Sequence, residues 1–121
     1  MARILLIEDN ILNMKLAVML LEIAGFEAIQ AFDAEEGIRL AQEWPPELIL
    51  MDIQLPGIDG LAATRLLKSD PVTRHIKIVA MTACAMAGDR EIIEAAGCDG
   101  YIAKPINVQN FTNLVKDALN R

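Results

Sequence analysis

Soft metal ligands are scarce in this sequence. Its two cysteines, Cys84 and Cys98, lack CxxC spacing, and His75 is its one histidine. A dedicated zinc cluster is therefore excluded and no disulfide framework is available; both thiols are expected to stay reduced and partly buried. Hydrophobic residues make up 54% of the chain, yet no apolar run approaches the ~18 residues that suggest a membrane span. A basic block is missing too: Arg39, Arg65, Lys68, Arg74 and Lys77 are scattered among acids in a chain of net charge −6. Direct nucleic-acid binding needs a basic face to replace phosphate counterions, and none forms here. The chain enters a strand pattern almost at once, without a signal peptide, so a cytoplasmic location is expected. Repeats, low-complexity segments and linkers are absent. The 121 residues read as one domain, 1–121, without an output domain.

What is present is an alternation of strand-like and helix-like patterns that predicts βα units around a parallel sheet. The predicted strands are Arg3 to Ile7, Phe26 to Ala31, Leu48 to Met51, Lys77 to Met81 and Gly100 to Ala103. Between and after them the pattern predicts five helices. The first runs from near Asn10 to Ala24, with Leu12, Leu16, Leu20 and Ile23 as its apolar side and Gly25 to end it. The second is capped by Asp33, with Glu36 at the capping-box position, and stops at Trp44-Pro45-Pro46. The third starts at Asp59, after a Pro56-Gly57 turn, and reaches about Lys68. The fourth is capped by Asp89 and ended by Gly97. The last follows Asn107, with Val108, Phe111, Leu114, Val115, Ala118 and Leu119 as a core-facing stripe.

The apolar runs share a property at their carboxyl ends, the edge where open α/β sheets place their sites. They stop at Glu8-Asp9, at Asp52, at Thr82 and at Lys104-Pro105. Three carboxylates, a hydroxyl and an ammonium on one edge suit Mg²⁺-dependent aspartyl phosphorylation. Asp9 and Asp52 are assigned as direct metal ligands, Glu8 as acting through water, and the backbone carbonyl of Gln54 as a further ligand; Mn²⁺ is expected to be able to replace Mg²⁺. Asp52 is the expected nucleophile. A cation offsets the repulsion between a carboxylate and a phosphoryl group, Lys104 steadies the equatorial oxygens, and Thr82 hydrogen-bonds a phosphoryl oxygen. Pro105 fixes the loop, and a cis bond before it would aim the ammonium back at the site; the sequence leaves the isomer open. Gln54 and Cys84, two places after Asp52 and Thr82, flank the path of an attacking water and are expected to tune phosphate lifetime.

With Glu8-Asp9, Asp52 within Leu50–Gly57, Thr82-Ala83 and Lys104-Pro105 in order, the chain resembles a receiver (response-regulator) domain of two-component signalling over essentially its whole length. The stretch Glu8 to Asn13 is similar to that of stand-alone cell-division regulators and of hybrid-kinase receivers. The resemblance implies a flavodoxin-like three-layer sandwich, with a five-stranded parallel sheet of order 2-1-3-4-5 and five helices. It also implies phosphotransfer to Asp52 from a histidine kinase or histidine phosphotransfer protein, obligate Mg²⁺, a switch made of Thr82 and Tyr101, and a mobile start to the fourth helix. Output then falls to a protein target, from a monomer or weak dimer. The only reactions expected of the chain are its own phosphotransfer and autodephosphorylation.

Three other readings stand beside it. A Mg²⁺-dependent phosphohydrolase would use the same aspartyl-phosphate but wants an acid two residues after the nucleophile, where this chain has Gln54. A nucleotide-binding module would want G-x-G-x-x-G after the first strand, where an acidic pair would repel a pyrophosphate. A receiver cut from a larger hybrid kinase would look much the same as a stand-alone one.

Overall fold

The computed structural model describes residues 2–55, 57–83 and 87–120, the side chains of 87 and 88 aside. Strands and helices alternate as β1 (Arg3–Ile7), α1 (Ile11–Ile23), β2 (Glu27–Ala31), α2 (Ala34–Glu43), β3 (Leu48–Asp52), α3 (Gly60–Ser69), β4 (Lys77–Thr82), α4 (Ala87–Ala95), β5 (Gly100–Ala103) and α5 (Phe111–Leu119). The five strands form one parallel sheet in the order β2-β1-β3-β4-β5. The flavodoxin-like order and the three-layer arrangement are therefore as expected.

Strand side chains alternate between two cores, as a period of two requires. Leu5, Ile7, Ile49, Met51, Ile78 and Ala80 face one side, where Ala34 and Ala41 of α2, Ala63 and Leu67 of α3 and Ile93 of α4 cover them. Ile4, Leu6, Leu48, Leu50, Val79, Met81 and Ile102 face the other, under Met14, Ala17 and Leu21 of α1 and Phe111, Val115 and Ala118 of α5. All five residues of β3 are buried, which explains its unbroken apolar run up to Asp52.

Helix ends follow local chemistry. The Asn10 side chain caps α1 by accepting from the Asn13 N–H at 3.0 Å, and Gly25, at φ +90°, lets the chain turn back so that the Phe26 N–H reaches the Leu21 carbonyl at 3.0 Å. Asp33 caps α2 through the Glu36 N–H at 2.8 Å. The Glu36 carboxylate accepts from the N–H of Phe32, at 2.9 Å, instead of that of Asp33. Trp44 closes α2 and is 60% exposed. Among the described residues no helix is long and apolar enough to cross a membrane.

Several expected details differ. Leu12 and Ile23 are 76% and 77% exposed; α1 is apolar on nearly every side, and beside the expected Leu20 it turns Met14, Ala17 and Leu21 inward. Val108 is exposed because it precedes α5, which begins at Phe111; within the helix Leu114 turns toward solvent, and the inward residues are Phe111, Val115 and Ala118, with Leu119 partly packed beside them. Asp89 does not cap α4: the helix starts at Ala87, and Asp89 sits in its first turn, where a carboxylate also meets the positive end of the helix dipole. β2 begins one residue later than expected, while β3 and β4 extend to Asp52 and Thr82.

The orientation of α1 has a measurable consequence. Leu21→Ala is expected to lower the unfolding free energy by ~2–5 kcal/mol, whereas Leu12→Gln is expected to stay within ~0.5 kcal/mol. Urea unfolding of both variants checks this; equal losses would mean that α1 presents the opposite face.

Candidate functional site

The sheet ladders carry the predicted residues to one place. Beyond β1, the Glu8 N–H still donates to the Ala31 carbonyl at 3.0 Å, so Glu8 continues the strand. Asp52 ends β3 opposite Met81, and Thr82 ends β4 opposite Ala103. The Lys104 N–H then donates to the Thr82 carbonyl at 2.8 Å, which continues β5 past its last residue. The Lys104-Pro105 bond is cis.

Lys104 lies at the centre. Its ammonium is 3.0 Å from Glu8 Oε1 and 2.9 Å from Asp52 Oδ2, and the other Asp52 oxygen accepts from the Gln54 N–H at 3.0 Å. Glu8, Asp52 and Thr82 are all buried, while Asp9 is exposed at the rim. Glu8, Asp9 and Asp52 each offer a carboxylate oxygen within 4.8 Å of the others. Thr82 and Gln54 border a cavity of about 210 Å³ beside the site.

Three carboxylates around one ammonium leave an excess of negative charge in a partly dry site. Burial, then the hydrogen bond to Asp52, pushes the Glu8 carboxyl up to about 7 from an ordinary 4.5. Burial alone would lower the Lys104 ammonium, but hydrogen bonds to Asp52 and Glu8 outweigh it and hold the lysine above its ordinary value. Glu8 Oε2 is buried without a hydrogen-bond partner. An all-oxygen set with surplus charge and an unsatisfied oxygen fits a hard divalent cation, which keeps waters and takes one or two carboxylates directly. Residues Asp9 and Asp52 could hold such an ion, with Glu8 behind them.

Other expected participants fall elsewhere. Tyr101 is half-buried on β5 opposite Ala80, on the α4 side of the sheet. Cys84 and Pro56 lie outside the described residues, as do Ala85 and Met86 of the stretch expected to be mobile, Ala83 to Gly88. Cys98 is a free, buried thiol, and His75 is exposed and distant in sequence from any cluster.

Two residues were not anticipated. Gly60 opens α3 so close to the end of β3 that a Cβ there would lie 2.2 Å from the Asp52 carbonyl oxygen and 2.7 Å from Ile53 Cα. Its own N–H donates to the Ile53 carbonyl at 3.1 Å. The available signal was a glycine directly after a helix-capping aspartate, where a side chain would ordinarily be favoured. Arg90 places its guanidinium carbon 5.5 Å from the centre of the Tyr101 ring; as one exposed arginine on a helix, it carried no signal.

A five-stranded flavodoxin-like sheet with an acidic cleft, a strand-end aspartate and a lysine beside it defines a receiver. The model of the response regulator receiver domain matches residues 4–116, and the chain belongs to that family. It is similar to the polar-differentiation response regulator DivK of Brucella anthropi, 48% identical over 116 residues that make up 96% of this chain and 94% of that protein. Among solved structures, the receiver domain of sensor histidine kinase PA1611 from Pseudomonas aeruginosa PAO1 is 32% identical with a TM-score of 0.90. The match covers 99% of this chain and 98% of that one, whose active-site cleft coordinates a magnesium ion. Chemotaxis response regulator CheY4 of Vibrio cholerae shares the fold, with a TM-score of 0.93 at 22% identity over 98% of each chain. The chain is thus a response-regulator receiver of two-component signalling, and nothing in these likenesses supports the phosphohydrolase reading.

The raised Glu8 carboxyl predicts a pH dependence in the cation-free protein. The folded state holds this proton up to about pH 7, while the unfolded chain releases it near 4.5. Between those values the folded state binds more protons, so its stability falls as pH rises. In EDTA, the urea midpoint of the wild type is expected to fall relative to that of Glu8→Gln across this window. Parallel profiles for the two proteins would place the Glu8 carboxyl at its ordinary value.

Proposed function

We propose that Asp52 is the phosphoacceptor of this receiver. The phosphoryl group passes from a phosphohistidine on a histidine kinase or histidine phosphotransfer protein: the N–P bond breaks as a carboxylate oxygen of Asp52 forms the new P–O bond, and the imidazole nitrogen keeps the electron pair. The observation that supports this most is the Lys104 ammonium 2.9 Å from Asp52, in a site where Glu8 and Asp9 add two more carboxylates. Lys104 steadies the negative oxygens as charge develops, and the Thr82 hydroxyl donates to one of them.

Asp9 and Asp52 bind Mg²⁺ directly in this reading, with Glu8 acting through water and the Gln54 backbone carbonyl as a further ligand; Mn²⁺ can take its place. When bound, the cation neutralises charge between the carboxylate and the incoming phosphoryl group. Pro105 fixes the loop that carries Lys104. Gln54 and Cys84 tune how long the phosphoryl group lasts, and autodephosphorylation is the only turnover. Thr82 moves toward the phosphoryl group, and Tyr101 follows into the space it leaves. The α4–β5–α5 face then binds a protein target. The receiver works in the cytoplasm, monomeric or weakly dimeric, without itself touching nucleic acid.

The test uses acetyl phosphate and Mg²⁺ as donor and cofactor. The wild type is expected to gain the mass of one phosphoryl group, lost again in hydroxylamine, and Asp52→Asn is expected to gain none. Labelling of the variant at the wild-type rate would place the acceptor elsewhere.

A further inference from the structure

We infer that Arg90 is a latch holding Tyr101 in its half-buried position in the unphosphorylated protein, so that it sets how readily phosphorylation drives the switch. This rests on the reading of Thr82 and Tyr101 as the switch pair. The Arg90 guanidinium carbon stands 5.5 Å from the Tyr101 ring centre, within the range of a cation–π contact. Its Nε donates to Glu94 Oε1, one turn along α4, at 3.2 Å, which fixes the long side chain over the ring.

The surroundings leave the ring room to move. Tyr101 forms part of the wall of a cavity of about 310 Å³ between α4 and the start of β5, with Arg90, Ile93 and Glu94 on the helix side. The second cavity, beside Thr82, lies against the same helix and shares Ile93 with the first. Across the ladder, the neighbour of Tyr101 is Ala80, small and fully buried. Ala80 and Thr82, two residues apart on one strand, point to the same face of the sheet. A displacement of Thr82 is therefore felt next to the ring. The Arg90 side chain is 61% exposed, and a cation–π contact at such a site biases a two-state equilibrium by about two- to five-fold. By linkage, whatever holds Tyr101 in this position weakens the hold of the site on a phosphoryl group by the same factor.

The chain contains one tyrosine, so 3-fluorotyrosine gives a single ¹⁹F resonance from Tyr101. That resonance is to be recorded for wild type, Arg90→Met and Arg90→Lys, each with and without beryllofluoride and Mg²⁺ as the phosphoryl mimic. Without the mimic, Arg90→Met is expected to move the resonance toward its mimic-bound position, and Arg90→Lys to restore part of the difference. Arg90→Met is also expected to bind beryllofluoride about two- to five-fold more tightly. If the mimic moves the wild-type resonance while Arg90→Met and wild type coincide without it, the latch is overturned and the switch reading stands. If the mimic leaves the wild-type resonance in place, the switch reading fails and the latch fails with it.

Discussion

One ammonium shared between two buried carboxylates is the interaction on which the site depends. Lys104 reaches both Glu8 and Asp52, and it lies 96 residues from Glu8 in sequence. Without that positive charge, the ends of β1 and β3 would bring carboxylates together in a poorly solvated cleft, and their repulsion would favour spreading the sheet edge. With it, the carboxylates stay close enough to offer a cation three oxygens. The ladder contact from Lys104 to the Thr82 carbonyl means that the residue supplying the charge is held by the same hydrogen-bond pattern that aligns β4 with β5. Charge placement and sheet registration are thus one constraint.

The sequence made the sheet and most of the site readable because the relevant residues are read along single strands. β1 and β5 have the expected bounds, since Arg3 opens a wholly apolar run and Gly100 and Lys104 bracket a short one. Glu8, Asp9, Asp52, Thr82 and Lys104 each mark where such a run stops, and parallel strands bring those stops to one edge. The orientation of α1 was not readable in this way. With apolar residues at Ile11, Leu12, Met14, Leu16, Val18, Met19 and Ile23, almost any face could have been the inner one, and only packing against the sheet selects Met14, Ala17 and Leu21. The start of α4 was misplaced for a different reason: an aspartate is favoured both as a cap and within the first turn, so Asp89 alone does not distinguish them.

Contacts between elements were the least visible. Gly60 matters because α3 begins against the backbone of Asp52, and Arg90 because α4 lies beside β5. Neither relation has a sequence period or a spacing. Lys68 belongs with them: its ammonium meets the Ile76 carbonyl at 2.8 Å and Asp99 at 2.9 Å, and Asp99 in turn accepts from the Ile78 N–H. That small network ties α3, β4 and the approach to β5 together.

The position of Trp44 decides what light can report about this protein. It is the one tryptophan in the chain, and it stands in water at the carboxyl end of α2. Because α2 runs back toward the start of β3, that end lies at the sheet edge opposite the acidic cleft. Indole emission therefore samples solvent at the far pole of the domain, insensitive to whatever occupies the cleft.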